Sequence, residues 1–154
     1  MIKKVGNVMY LCRIKNYKES MLLLERQTEL LGLIHRNLVD LKQLTTGGGK
    51  NYFVTFIDDY SKYTKVYLIK NKDEAFAMFL SYKTEVQNQL DKKIKRIRSD
   101  RGGEYVSFND YCVKEGIIHE VTPPYSPESN GVVERKNRTL KEMMNAMLIS
   151  SNAH

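Results

Sequence analysis

The sequence predicts a single α/β domain built on a mixed sheet. Two patterns carry this: three β-rich stretches follow one another between Leu33 and Lys70, and strands then alternate with helical stretches as far as Ile149. Length adds a third constraint, because 154 residues with 42% apolar content support one core and not two ordinary domains.

Residues 1 to about 30 scatter Lys15, Lys18 and Arg26 among Met21, Leu22, Leu23 and Leu24 without a strand period. They read as a connecting arm, with a helix from Lys18 to Leu31 as one option. Leu33 to Val39 reads as a buried strand, followed by a turn at Thr45 to Gly49 with three consecutive glycines. "NYFVTFID" and "YTKVYLIK" are rich in β-branched and aromatic residues and flank Asp58, Asp59, Tyr60 and Ser61, the pattern of a hairpin. These three strands are expected to form an antiparallel unit. Asn71 or Asp73 can cap a helix reaching about Gln89, whose Ala75, Phe76, Phe79, Leu80 and Tyr82 share a broad apolar face.

In "KKIKRIRSD" the alternation of a strand puts Arg96, Arg98 and Asp100 on one face and Ile97 on the other. A short helix from Phe108 to Lys114, a strand in "IIHEVT" and a loop in "PPYSPESNGV" lead to a last helix from Val133 to about Ile149. There Leu140, Met143, Met144, Met147 and Leu148 make an apolar stripe, while Glu134, Arg138 and Lys141 align on another side at i, i+4 and i+7.

Asp100 in "IRSDRGGEY" and Glu134 in "YSPESNGVVERKNRTL" are the acids with the most distinctive surroundings. Each stands beside turn residues, so both are expected at the rim of the sheet. Asp58 and Asp59 are adjacent acids too, but turn-favouring Asp accounts for them and they receive no catalytic role. His35 and His119 fall in strands, where packing roles are expected. The net charge of +7 suits a polyanionic partner. Cys12 and Cys112 are too far apart in sequence to suggest a disulfide framework or a self-contained zinc cluster. No apolar run approaches the roughly 18 residues of a membrane span, so a soluble chain without a secretory signal is expected.

At these residues the chain resembles the catalytic core of integrases encoded by copia-type long-terminal-repeat retrotransposons. "FVTFIDDYSKYTKVYLIKNKDEAF", "KKIKRIRSDRGGEY", "GIIHEVTPPYSPESNGVVERKNRTL" and "KEMMNAML" look like that family's blocks in the family's order, from about Leu31 to Ile149. The resemblance implies an RNase H-like fold: a five-stranded mixed sheet, three strands antiparallel and two parallel, flanked by helices. It also implies DNA integration, by 3′-end processing and strand transfer, with three carboxylates holding two Mg²⁺ or Mn²⁺ ions. Asp100 matches the second acid and Glu134 the third. Arg138 and Lys141 match helix positions that contact DNA in related integrases, and Arg135, Lys136 and Arg98 complete the expected DNA-binding set. Element ends and target DNA are the implied partners, with a homo-oligomer as an option, no membrane, and the nucleus as the implied location.

The chain departs from the family in four places. The slot of the first acid, two residues after His35 in "LIHRNLVD", holds Asn37. Asp40 cannot replace it, because an odd offset points to the opposite face and three residues add about 10 Å of strand. The interval between Asp100 and Glu134 is two residues shorter than the family's usual one. Met9 and Cys12 carry the spacing of the last two cysteines of the family's zinc domain, but a thioether ligates Zn²⁺ poorly, so no zinc is expected. The chain stops soon after the last helix, so the supporting carboxyl-terminal helices of such cores are expected to be truncated.

The expected organisation is an arm over 1–30, the remnant of a degraded zinc-binding region, then a core-like domain over 31–149 and a tail over 150–154. Two functions stay open. One is an integrase core whose metal binding is weakened and whose strand transfer is lost through Asn37. The other is a noncatalytic nucleic-acid-binding remnant. An oligomerising piece and an RNase H nuclease stand behind them.

Overall fold

The computed structural model describes residues 2–5, 8–11, 29–41, 49–99, 105–121, 135–144 and 146–147. Its centre is the antiparallel unit expected from sequence: β3 (Ile34–Asp40), β4 (Tyr52–Asp58) and β5 (Thr64–Ile69), with β4 between the other two. β6 (Arg96–Ser99) then joins β3 in parallel, and β7 (Ile118–Val121) joins β6 in parallel. α1 (Glu74–Leu90) and α2 (Tyr105–Glu115) make the two connections. These five strands are the mixed sheet that the resemblance implies.

The arm differs from the sequence reading. β1 (Ile2–Val5) and β2 (Val8–Leu11) form a hairpin, and β2 pairs antiparallel with β5, so the complete order is β1-β2-β5-β4-β3-β6-β7. Four-residue strands show little period of their own. The edge of β5 offers N–H and C=O groups that β2 pairs with, and β1 in turn pairs with β2. The proposed helix from Lys18 to Leu31 lies mostly outside the described residues, as do Cys12 and the glycine turn apart from Gly49.

β4 is buried along almost its whole length because both faces of the sheet are covered there. On one face Val54, Phe56, Tyr67, Ile69, Ile34 and Ile97 meet Ala75, Phe79, Tyr82 and Val86 of α1 and Phe108 and Cys112 of α2. Phe56 stacks on Tyr82 with centroids 4.8 Å apart, and Phe79 meets Phe108 edge-on at 5.1 Å. Such pairs add about 0.5–1.5 kcal/mol each beyond their buried area. Lys65 is buried on this same side and tied to Glu85 of α1. Burial pushes its amine down, but hydrogen bonds to Glu85 and Tyr67 outweigh that and leave the pKa raised.

The other face is covered by α3, helical over residues 135–144 and 146–147. Leu140 and Met144 pack with Phe53, Val66 and Leu41, and Met143 joins from the side. Met147, expected on the same stripe, is 38% exposed, so among the described residues of α3 Met144 is the last that packs on the sheet. Leu148 lies outside the described residues.

Local signals set the ends of elements. The Asp58 carboxylate accepts from Leu31 N at 2.9 Å and from Ser61 N and Oγ at 2.7 and 2.6 Å, which closes the β4–β5 turn. α1 begins with half of a capping box, in which Glu74 Oε1 accepts the Asn71 N–H at 3.0 Å. α2 starts three residues earlier than the sequence reading and ends at Gly116, whose φ of 72° permits Ile117 N to reach the Cys112 carbonyl at 2.8 Å. That is a Schellman stop.

Candidate metal and nucleic-acid site

Asn37 stands at the middle of β3, directly opposite Thr55 of β4. Both side chains belong to the α3 face, since residues opposite one another in a ladder project to the same side. Thr55 is fully buried, and its Oγ1 donates to Asn137 Oδ1 of α3 at 3.3 Å. Asn137 is itself only 7% exposed, and its Nδ2 has no hydrogen-bond partner among the described residues. A buried amide donor without an acceptor costs about 1–3 kcal/mol. Asn37 is thus neighboured by a polar contact that fixes how α3 lies on the sheet.

Two residues before Asn37, His35 shares its face and meets Asp59 Oδ1 through Nε2 at 2.9 Å. Asp59 also draws Lys62 Nζ to 3.5 Å. Both adjacent acids of the hairpin are therefore engaged by neighbouring donors, Asp58 within the turn and Asp59 with His35 and Lys62. Asp40 lies opposite Tyr52, whose ring packs on the α1 cluster, so it belongs to the face away from Asn37.

Across the parallel pairing, His35 is registered with Arg98 and Arg36 with Ser99. Arg98 donates to Glu120 Oε2 of β7 through Nε at 3.1 Å and Nη2 at 2.9 Å, while Arg96 approaches the other oxygen at 3.5 Å. One carboxylate thus sits between two guanidinium groups on a half-buried strand surface.

The cations of α3 separate into two groups. Arg135, Arg138 and Lys141 are exposed on its outer side. Lys136 turns inward, where Nζ donates to the Lys62 carbonyl at 3.3 Å in the β4–β5 turn. Burial first and Lys62 second lower its pKa to about 8, with Asp59 pulling the other way. Sequence reasoning grouped Lys136 with the outer cations and passed over Asn137. Spacing could have identified both, since Lys136, Leu140 and Met143 run i, i+4, i+7, and Asn137, Leu140 and Met144 run i, i+3, i+7.

Asp100 and Glu134 lie outside the described residues. Among the described residues no group of three or more His, Cys, Asp or Glu side chains could hold a metal ion, and no helix is long and apolar enough to cross a membrane.

Comparison with known proteins gives these features their setting. The family model described as "Integrase core domain" matches residues 35–127. The Retrovirus-related Pol polyprotein from transposon TNT 1-94 of Nicotiana tabacum is 44% identical over 126 residues, which is 80% of this chain and 10% of that protein. The corresponding polyprotein from transposon RE2 of Arabidopsis thaliana is 40% identical over 92 residues, 60% of this chain and 6% of that one. The chain therefore spans a tenth or less of these relatives. Among solved structures, a chain of the simian T-cell lymphotropic virus intasome in complex with PP2A regulatory subunit B56 gamma superposes with a TM-score of 0.66. It is 21% identical and covers 85% of this chain and 46% of that one, a likeness of fold that identifies the sheet as RNase H-like. The chain belongs to the integrase core domain family, with homologues in the Pol polyproteins of plant copia-type transposons.

Proposed function

We propose that this chain is a retrotransposon integrase core that retains DNA binding but whose metal-dependent transfer chemistry is impaired at Asn37. The observation that carries this is the position of Asn37 itself. It is central in β3, whose residue Arg36 is registered with Ser99, and Asp100 follows Ser99 directly in sequence. Residue 134 precedes the buried Asn137 by three positions in sequence. On this reading Asn37, Asp100 and Glu134 are the three positions of the acidic site.

The donor types then decide what the site can hold. Carboxylate oxygens suit Mg²⁺ or Mn²⁺, whereas the Asn37 amide offers a neutral oxygen. Two carboxylates and one amide suit a single, weakly held divalent ion and leave a second without its share of negative charge. When bound, such ions would activate the attacking oxygen and stabilise the leaving one in an in-line displacement at phosphorus. The described part of the chain would contribute the Asn37 oxygen from β3 and present cations to the phosphate backbone.

For that last role Arg135, Arg138 and Lys141 are the free-standing candidates, since they are exposed. Arg98 is committed to Glu120 and Lys136 to the β4–β5 turn, so these two would contribute less. The exposed set also favours the second reading, a nucleic-acid-binding remnant without turnover. Nuclear location, self-association and the division into arm, core and tail accompany the family reading as expectations. Affinity for a double-stranded element end, measured against salt, tests the binding claim. Neutralising Arg138 and Lys141 should flatten the log–log slope by about 1 per contact. An unchanged slope would remove them from the interface.

A further inference from the structure

A polar chain runs beneath the end of β6, on the face opposite Asn37. Ser99, the last residue of β6, is 2% exposed, and its Oγ lies 2.7 Å from His119 Nε2 on β7. His119 Nδ1 lies 3.4 Å from Asn109 Oδ1 on α2. The imidazole stands edge-on to Phe108 with centroids 4.9 Å apart, and the guanidinium of Arg36 lies over that same Phe108 ring at 4.7 Å. Arg36 is also the registered neighbour of Ser99 across the β3–β6 pairing. Three elements, α2, β7 and β6, thus meet through one ring.

The hydrogen-bond directions follow from atom types. With Asn109 Oδ1 as an acceptor, the relay requires His119 to carry its proton on Nδ1. Nε2 is then an acceptor, and the Ser99 hydroxyl donates to it. A protonated ring would lose that acceptor and set a second cation near Arg36, and burial and Arg36 both hold the His119 pKa below its ordinary value. Serine, histidine and amide in series also occur in hydrolases. Here a hydroxyl that is 2% exposed cannot meet a substrate carbonyl, so the chain is not a nucleophilic device.

We propose that Asn109, His119 and Ser99 form a positioning relay that locks the end of β6 to β7 and α2, immediately before Asp100 in sequence. His119 and Ser99 touch no reacting group; they act through the backbone of β6. The relay stands on its own contacts, whereas its consequence for metal rests on the reading of Asp100 given above.

Nitrogen-15 shifts of His119 in the full chain, amide exchange along β6 and Mn²⁺ titration test it together. The relay predicts the Nδ1–H tautomer at neutral pH. Ser99→Ala should speed exchange at residues 97–99 roughly five- to tenfold, the effect of losing one buried hydrogen bond, while β4 stays protected and Ser99→Thr restores the parent rate. Mn²⁺ affinity should fall several-fold in His119→Leu and recover in His119→Gln, which keeps an amide able to pair with Ser99. An Nε2–H tautomer, or unaltered exchange in Ser99→Ala, overturns the relay. Equal Mn²⁺ affinity in His119→Leu and its parent overturns its action on Asp100. Absence of Mn²⁺ binding from both the parent and Asn37→Asp overturns instead the metal reading of the site, and the relay is then judged by tautomer and exchange.

Discussion

On the side of α1 and α2, the sheet is closed by a continuous aromatic core that runs from Tyr67 and Ile69 on β5 to Ile97 on β6. On the side of α3, apolar cover is confined to the Phe53, Val66, Leu140 and Met144 region over β4 and β5, and the remainder carries His35, Asn37, Arg98 and Glu120. The same five strands therefore serve two purposes according to the direction in which a residue points. One face holds the fold, and the other carries the polar residues on which the proposed site rests. On the proposed reading, Asn37 in the slot of an acid falls on the second face, where it would alter a site at little cost to the domain.

Breaking the first face should be the most damaging change. Phe56→Ala removes the ring that stacks on Tyr82 and touches Phe79 and Tyr67, and is expected to cost about 3–5 kcal/mol in denaturant unfolding. In a domain of marginal stability that approaches the whole margin. A loss below about 1 kcal/mol would contradict the division of labour. On the other face, Leu140→Ala should cost about 2–3 kcal/mol and act locally. Amide exchange should rise over residues 135–144 while α1 keeps its protection. Exchange rising equally in both helices would show one cooperative unit where the comparison requires two.

A smaller effect is expected at the contact between α3 and the sheet. Thr55→Val deprives Asn137 of a partner and should cost about 1 kcal/mol, part of which returns when Asn137→Leu is added, because two apolar groups leave nothing unpaired. Strict additivity in that double-mutant cycle would mean that the two side chains do not interact.

The smallest expected effect is a dependence on acid from His119. Its folded pKa lies below the ordinary 6.5 through burial and then Arg36, so as pH falls the unfolded chain takes up this proton first. The contribution is therefore intact above about 6.5 and is lost as pH drops from there through the folded value. His119→Gln should flatten stability between pH 7 and 5 relative to the parent. A parent whose stability rises over that descent would reverse the sign and refute the assignment.

The aromatic face was the legible one. β4, β5 and α1 announce themselves because β-branched, aromatic and 3.6-period patterns reflect burial that is local in sequence, and the alternation in β6 correctly divides Arg96 and Arg98 from Ile97. β1 and β2 were not legible, since β2 docks on a partner more than fifty residues away at β5 and β1 pairs only with β2. α2 begins before Phe108, at Tyr105 and Val106, whose weak helix propensities gave no sign of that start. At the candidate site, local motifs and the resemblance singled out cations but not their commitments. That Lys136 serves a turn carbonyl, and Arg98 a glutamate, depends on which elements the fold brings beside them.

The central claim is that the chemical face has lost its first acid while the scaffold survives. Divalent-dependent cleavage and joining of a model DNA end, measured side by side for the unmodified chain and Asn37→Asp, tests it most directly. The account predicts no strand transfer from the unmodified chain and metal-dependent product from Asn37→Asp, with equal DNA affinity in the two. Robust joining by the unmodified chain would contradict it.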